Sequence, residues 1–452
     1  MRSKRSLLLV AATVAVIALV VALAITLGPG GGSPSAITPS WSPSQSTVAT
    51  TSGSTATPTS SPSAPSTAGR TVAGVTLYET LPASGDWALV VRRSFDSAPI
   101  GERRLPATDT LHAVSISGSA ASRTIRLLSF TSAIDQPSIS VDNLVRAQLS
   151  PDGHRLVLSI VAGGGADARA ALVIVDLVAG TVTPFVTDPR YNDTTPAWRP
   201  NGEQIAFVRS TRGLTLVQND ASIWFIGSDG AGMRLVLGPT TTPPEGTGIF
   251  SWNGDGSGIG YSRGFELFPY YVLQRATGRS EAIGGIGRLP QGRAGSDWRS
   301  GSPAFVGVFA EGPHGGRSYL VDADGQLGGP ARDLFVVSPE ELNFVFSPRW
   351  RPGSDQILFA STTTEPTSVS RLWLTDANGT MLPPRELVRV DVFSLLASWT
   401  GDGQQILYLA ASGVAGAVHL MNADGTGDRV IQMFGGVPQT RIEWPDLAVL
   451  GF

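Results

Sequence analysis

Residues 198–207, with the sequence WRPNGEQIAF, decide the fold of this chain. Pro200 presets φ for the first central position of a turn, and the Asn-Gly pair behind it tolerates the positive φ that follows. The apolar run Ile205–Phe207 is short and follows turn residues, as expected for a buried strand. The stretch therefore predicts a β-hairpin whose incoming strand ends at Trp198.

The same pattern recurs along the chain, so the hairpin is one unit of a repeat. Five further copies begin at Leu149, Trp252, Trp298, Trp350 and Trp399. Together with the copy at 198 they are spaced by 49, 54, 46, 52 and 49 residues, which suits an array of similar units. The copy at 298 has lost its Asp-Gly pair, and a leucine replaces the tryptophan in the copy at 149.

A second strand signal follows most copies of the turn. Four segments combine a short β-rich run with an Asp-Gly or Asn-Gly turn, at 223–230, 319–325, 372–379 and 418–425. Such turns join one strand of a hairpin to the next. Each repeat therefore predicts four strands, which make one blade of a β-propeller.

Turns of the Trp-x-Pro-Asp-Gly type, paired with strands that run into Asp-Ala-Asp-Gly-like turns, resemble the repeat of the TolB-like, WD-type β-propellers of the bacterial cell envelope. The resemblance covers about residues 140–435. It implies an all-β fold, and protein partners that bind one face of the propeller or its central channel. A degenerate copy at Pro82–Asp86 predicts a seventh blade; six blades, the usual TolB-like number, are the alternative.

The two chain ends are expected to complete one blade together. Strand-like runs follow the degenerate copy at Leu111–Ser117 and Thr124–Phe130, and another lies at Leu447–Leu450. A terminal strand that joins the first blade would close the ring and remove an exposed sheet edge.

The N-terminus carries a membrane signal. Residues 1–6 contain three basic residues, and residues 7–27 form an apolar stretch whose only polar members are two threonines. At about 1.5 Å per residue this stretch reaches roughly 30 Å, one hydrocarbon thickness. The basic cluster would stay in the cytoplasm, so we expect a single-pass anchor with the rest of the chain outside. Cleavage after Ala24, which would give a secreted protein, is the alternative.

Composition divides the remainder into a stalk and a domain. Residues 28–70 are rich in Ser, Thr, Pro, Gly and Ala and contain no acidic residue, which predicts a disordered stalk. The propeller domain is assigned to residues 71–452. After position 70 there are 29 basic and 36 acidic residues, a net charge of −7. Nucleic acid is therefore not expected as a partner, since its recognition needs a basic surface.

The sequence lacks the motifs of common catalytic and metal sites. The absence of cysteine excludes disulfides, thiolate catalysis and cysteine zinc sites. The four histidines, His112, His154, His314 and His419, fall in separate repeats without ligand spacing. The Asp-rich turns at 322–325 and 422–428 are interpreted as hairpin turns instead of calcium loops. No metal, cofactor or catalytic residue is predicted.

Three arginines recur at one position of the repeat. Arg92, Arg209 and Arg263 are expected just past the second strand of their blades, on a face that propellers use for binding. They are candidates for contact with a carboxylate or another anionic group of an envelope protein or ligand. The alternative is that each one caps a strand at the solvent boundary.

These features favour a membrane-tethered, extracytoplasmic, non-catalytic module that binds a protein or another ligand. The alternative is a cell-envelope enzyme, a sugar lyase or hydrolase, with its site at the propeller channel. Convergent His, Asp or Glu at the channel would favour the enzyme, and mixed polar and aromatic residues would favour binding.

Overall fold

The computed structural model describes only part of the chain. The described residues are 69–83, 85–95, 106–116, 123–133, 148–162, 169–211, 220–239, 247–263, 270–282, 289–290, 296–302, 304–310, 318–323, 331–337, 343–363, 369–378, 380–381, 383–391, 394–412, 415–434 and 442–446. The chain divides into two compact units, Met1–Pro65 and Ser66–Phe452, and the second contains all of these residues. In those ranges no helix is long and apolar enough to cross a membrane. The predicted anchor at 7–27 and nearly all of the stalk lie outside them.

The all-β prediction is confirmed, because the described strands make seven antiparallel sheets, which we number along the chain. Sheet 1 contains β1 (Arg70–Val72), β2 (Val75–Leu77), β3 (Trp87–Phe95), β4 (Pro106–Ser115), β5 (Thr124–Ala133) and the last strand, β31 (Ile442–Asp446). Sheet 2 contains β6 (Gln148–Leu149), β7 (Arg155–Ala162), β8 (Arg169–Asp176) and β9 (Thr181–Val186). Sheet 3 contains β10 (Asn192–Trp198), β11 (Gln204–Ser210), β12 (Ser222–Gly227) and β13 (Arg234–Leu237). Sheet 4 contains β14 (Thr247–Trp252), β15 (Gly258–Arg263), β16 (Tyr270–Gln274) and β17 (Ser280–Ala282).

The last three sheets follow the same plan. Sheet 5 contains β18 (Leu289–Pro290), β19 (Ser296–Trp298), β20 (Phe305–Ala310), β21 (Ser318–Ala323) and β22 (Ala331–Val337). Sheet 6 contains β23 (Asn343–Trp350), β24 (Gln356–Thr363), β25 (Val369–Asp376) and β26 (Arg385–Val390). Sheet 7 contains β27 (Ser394–Trp399), β28 (Gln405–Ser412), β29 (Ala415–Asn422) and β30 (Arg429–Phe434). Consecutive strands pair within most sheets, as the repeated hairpin predicts.

The repeated turn forms as the sequence predicts. In the copy at 198, the Arg199 N–H donates to the Gln204 carbonyl at 2.8 Å, and Gly202 adopts a φ of 74°. The copy at 298, which has lost its Asp-Gly pair, keeps the turn because Gly301 takes the positive φ of 69°. Glycine is needed at these positions because a side chain there would be strained.

The repeat tryptophans lie between neighbouring sheets. The Trp252 indole Nε1–H donates to the Ala197 carbonyl of sheet 3 at 3.0 Å, and the Trp399 indole donates to the Arg349 carbonyl of sheet 6 at 3.3 Å. The arginine that follows many of these tryptophans reaches forward: the Arg351 guanidinium lies 5.3 Å from the ring centroid of Trp399. These contacts join sheet 3 to sheet 4 and sheet 6 to sheet 7.

Apolar cores fill the spaces between sheets. One cluster joins sheets 1 and 2 through residues such as Leu89 and Leu158, and another joins sheets 2 and 3 through residues such as Leu172 and Phe207. Contacts between strands link each sheet to the next along the chain. They also link β30 of sheet 7 to β4 of sheet 1.

The first and the last described strands lie together in sheet 1, as the prediction of a blade completed by both chain ends requires. The strand observed is β31 at Ile442–Asp446, which pairs antiparallel with β3 from Val91 to Phe95. Leu447–Leu450 lies outside the described residues. The hairpin of β1 and β2, which pairs with β5 on the opposite edge of the sheet, was not predicted. Its first strand begins at Arg70, the last residue assigned to the stalk.

Candidate functional site

The edge strand β10 of sheet 3 is unusually polar for a buried strand. Its sequence is NDTTPAW, and all seven residues are buried. Asn192 is satisfied in part by the Ala170 N–H, which donates to its Oδ1 at 2.9 Å. A buried polar group is costly unless it has a partner, so this strand is the first place to look for function.

Asp193 and Arg209 form a buried ion pair. The two residues face each other in the register of β10 and β11, so their side chains start from opposite positions. The Arg209 Nε–H donates to Asp193 Oδ1 at 2.7 Å, and the Nη2–H donates to Oδ2 at 2.9 Å. The arginine side chain is 6% exposed and the aspartate 1%. Burial raises the pKa of Asp193, and the hydrogen bonds from Arg209 act in the opposite direction.

Aromatic rings surround the Arg209 guanidinium. The ring centroids of Tyr191, Trp224 and Phe207 lie 4.5, 5.3 and 5.5 Å from its central carbon. Such cation–π contacts are favourable, the more so when the cation is shielded from water. Arg209 is therefore held both by a carboxylate and by aromatic faces.

The Tyr191 ring contacts both the buried Arg209 and the exposed Arg190. Arg190 lies 5.5 Å from the Tyr191 centroid and also bonds Asp188, from Nη2 to Oδ2 at 2.6 Å and from Nε to Oδ1 at 3.0 Å. The hydrogen bonds from Arg190 lower the pKa of Asp188 to about 2. The Arg190 side chain is 77% exposed, so this guanidinium is presented to solvent. We call the residues Asp188, Arg190, Tyr191, Asp193 and Arg209 the arginine stack.

Thr195, two residues from Asp193, has a strained backbone conformation. Its φ is +46°, a conformation that is an outlier for a β-branched residue. It lies in a register shift of β10 between Thr194 and Ala197. Thr195 is 4% exposed, and among the described residues its Oγ1 has no hydrogen-bond partner. Strain of this kind is commonly retained at functional sites.

The three predicted arginines share one register position, which lies inside the second strand instead of past it. Arg209 faces Asp193, Arg263 ends β15 and faces Thr247, and Arg92 lies in β3 and faces Pro445 of β31. The second strand of each of these sheets is longer than predicted, because it pairs with the edge strand beside it at least as far as the arginine. The side chains of Arg92 and Arg263 lie outside the described residues, so their role as anion contacts stays a prediction.

Sequence reasoning found Arg209 but missed its partner and the exposed arginine. Arg190 follows β9 in a loop, and its only sequence signal is the neighbouring tyrosine and aspartate in Asp-Pro-Arg-Tyr at 188–191. In the described part of the chain, no three His, Asp or Glu side chains are grouped as metal ligands would be. His112 lies in β4 and His419 in β29, while His314 is outside that part.

Comparisons with known proteins inform the fold. No protein-family model matches the chain, and neither does any curated protein. Among solved structures, TolB from Acinetobacter baumannii is 16% identical over 79% of this chain and 66% of that one, with a TM-score of 0.37. A structure described as a TolB of Agrobacterium tumefaciens is 14% identical, with 80% and 98% covered and a TM-score of 0.34.

A structure from a study of two prolyl endopeptidases also matches. It is 12% identical over 78% of this chain, with a TM-score of 0.50, and this chain spans only 50% of its length. At such identities a likeness concerns the fold alone. The repeated turn and the mostly four-stranded sheets give the chain the fold of a β-propeller, and its repeat resembles that of the TolB-like propellers.

Proposed function

We propose that this chain is a seven-bladed β-propeller, tethered outside the cytoplasm, that acts as a non-catalytic binding module. The seven sheets, and the contact between the first and the last of them, support seven blades over six. A six-bladed ring would leave one of these sheets outside the closure. The pairing of β31 with β3 gives the first blade its inner strand.

The arginine stack is the observation that supports binding most directly. Arg190 is exposed, yet Asp188 and the Tyr191 ring hold it in place. Arginine and tyrosine are enriched among the residues that dominate interface energetics. A side chain that is already ordered loses less entropy when a partner binds. The stack therefore suits a protein contact better than a mobile surface arginine would.

The hydrogen bonds to Asp188 use Nε and Nη2 of Arg190, so Nη1 is the nitrogen proposed to donate to a partner. We propose that an envelope protein supplies a carboxylate or backbone carbonyl as the acceptor. The ion pair is neutral overall, so the contact would add specificity more than long-range attraction.

A capture experiment with the full chain tests this function. Arg190→Ala is compared with Arg389→Ala, which removes an exposed arginine from β26 of sheet 6. We expect the envelope proteins captured by the wild type to be captured by Arg389→Ala and lost with Arg190→Ala. Equal capture by all three proteins would argue against the arginine stack as the contact.

The proposed membrane tether is inferred from the apolar segment 7–27 and the three basic residues before it. We propose that this segment is retained, so that the protein fractionates with membranes. N-terminal sequencing of protein from the native host tests this. A mature chain that begins at Ile25 and is recovered from the medium would instead make the protein secreted.

The alternative is a cell-envelope enzyme, and the likeness in fold to a prolyl endopeptidase structure keeps it open. A turnover assay with sugar polymers and proline-containing peptides tests it. Activity that survives purification and is lost on substitution of a channel carboxylate would favour the enzyme.

A further inference from the structure

Three polar side chains of sheet 7 meet at one point. The Tyr408 O–H on β28 donates to Asp428 Oδ2 at 2.7 Å, and Asp428 Oδ1 lies 3.1 Å from Nδ1 of His419 on β29. The Tyr408 and His419 rings stack with centroids 4.4 Å apart. Both oxygens of the Asp428 carboxylate are thus engaged by neighbouring strands.

Asp428 directly precedes β30, one of the strands of sheet 7 that contact sheet 1. The Arg429 guanidinium donates to the Ile116 carbonyl at 3.1 Å, and the Thr124 hydroxyl donates to Gln432 Oε1 at 2.5 Å. Ile431 packs in a cluster with Val90 of β3. We call these contacts of β30 with sheet 1 the seam. The Asp428 carboxylate therefore holds the start of the strand that makes the seam.

The surroundings of Asp428 favour its charged form. Burial acts to raise its pKa, but hydrogen bonds from His419 and Tyr408, together with that of the Arg429 backbone N–H, bring the pKa below its ordinary value. Tyr408 stays protonated as the donor, since burial and its bond to Asp428 raise its pKa. On the facing strand β4, the titratable groups are Asp109 and His112.

We propose that protonation of Asp428 releases β30 from sheet 1, so that the propeller opens locally at the seam in acid. A neutral carboxyl accepts hydrogen bonds more weakly than a carboxylate does, so the bonds from Tyr408 and His419 to Asp428 weaken. A carboxyl with a lowered folded-state pKa stabilises the fold above its unfolded value of about 3.9. That contribution is lost as the pH falls through the folded-state value, so the opening is expected below about pH 4.

Hydrogen exchange of the full chain tests the proposal, with rates corrected for the intrinsic effect of pH. Asp428→Asn mimics the neutral carboxyl. Asp424→Asn is the matched control, because Asp424 also has a lowered pKa but in the described part of the chain its side chain accepts hydrogen bonds from Thr426 of its own turn. The readout compares amides of β30 and β4 with those of β11 in sheet 3.

For the wild type we expect seam amides to exchange about tenfold faster at about pH 3 than at about pH 7, beyond any change in β11. Asp428→Asn should show the fast seam rate at both pH values, and Asp424→Asn should behave as the wild type. Tyr408→Phe, which removes the hydroxyl that contacts both Asp428 Oδ2 and His419 Nδ1, should accelerate only the seam at neutral pH. Equal acceleration in all sheets, equal effects of the two Asp→Asn variants, or a seam indifferent to pH would overturn the proposal.

Discussion

The Trp252 indole donates its Nε1–H to the backbone carbonyl of Ala197 in the preceding sheet, across 3.0 Å. Trp198 makes the same contact one sheet earlier, to the carbonyl of Gln148 at 3.1 Å. Trp399 makes it again to the Arg349 carbonyl of sheet 6, so in three copies the repeat tryptophan joins one sheet to the sheet before it.

The repeat tryptophans should be main determinants of stability. We expect Trp198→Ala and Trp399→Ala each to lower the free energy of unfolding by about 3–5 kcal/mol, because each removes a large buried ring and leaves a cavity. Chemical denaturation of the full chain measures this. Losses below about 1 kcal/mol at both sites would mean that the rings contribute little to packing.

The buried pair Asp193–Arg209 should behave non-additively. Asp193→Leu or Arg209→Met alone leaves an uncompensated buried charge and should cost about 3–5 kcal/mol. Replacing both, with Asp193→Leu and Arg209→Met, should cost much less than the two single changes added together. A double-mutant cycle in urea measures the difference; additive losses would mean that the two charges act independently.

Replacing Thr195 with glycine should raise the free energy of unfolding. Thr195→Gly relieves the positive φ and removes a buried hydroxyl without a described partner, so we expect a gain of about 1 kcal/mol. Thr194→Gly is the matched control. Thr194 is also buried but does not have a positive φ, so we expect a loss of about 1 kcal/mol there. A loss at both positions would show that the Thr195 conformation is not strained.

Removing β31, the last strand of the chain that the structure describes, should destabilise sheet 1. A chain that ends at Arg441 lacks β31, so the edge of β3 from Val91 to Phe95 becomes unpaired. Exposed strand edges promote aggregation, so we expect a lower, less cooperative melting transition and a tendency to aggregate. A melting curve indistinguishable from that of the full chain would show that β31 does not close the first blade.

The fold was accessible from sequence because its signals are local. Gly202 and Trp198 lie within five residues of each other, and the same short pattern recurs in copy after copy. The hairpin of β1 and β2 was missed because its turn, Ala73-Gly74, begins with a non-glycine residue at a φ of 47°. Alanine at such a position is a weak turn signal.

The candidate site was less accessible because it depends on register. Asp193 and Arg209 are 16 residues apart, and only the pairing of β10 with β11 brings them together. The strained conformation of Thr195 coincides with a register shift that no local sequence pattern predicts. Arg190 acquires its role from Tyr191 and Asp188, whose contacts depend on how the loop before β10 is held.

Site-specific cross-linking tests the central claim, that the propeller binds an envelope partner through the arginine stack. A photoreactive residue is placed at position 187, where an exposed threonine lies beside the arginine stack, and, in a separate protein, at position 389 on β26; both full chains are irradiated in the native host. We predict one discrete cross-linked partner from position 187 and none from position 389, with the adduct lost when Arg190→Ala is added to the first protein. The same adducts from both positions, or an adduct from position 187 that persists with Arg190→Ala, would contradict the account.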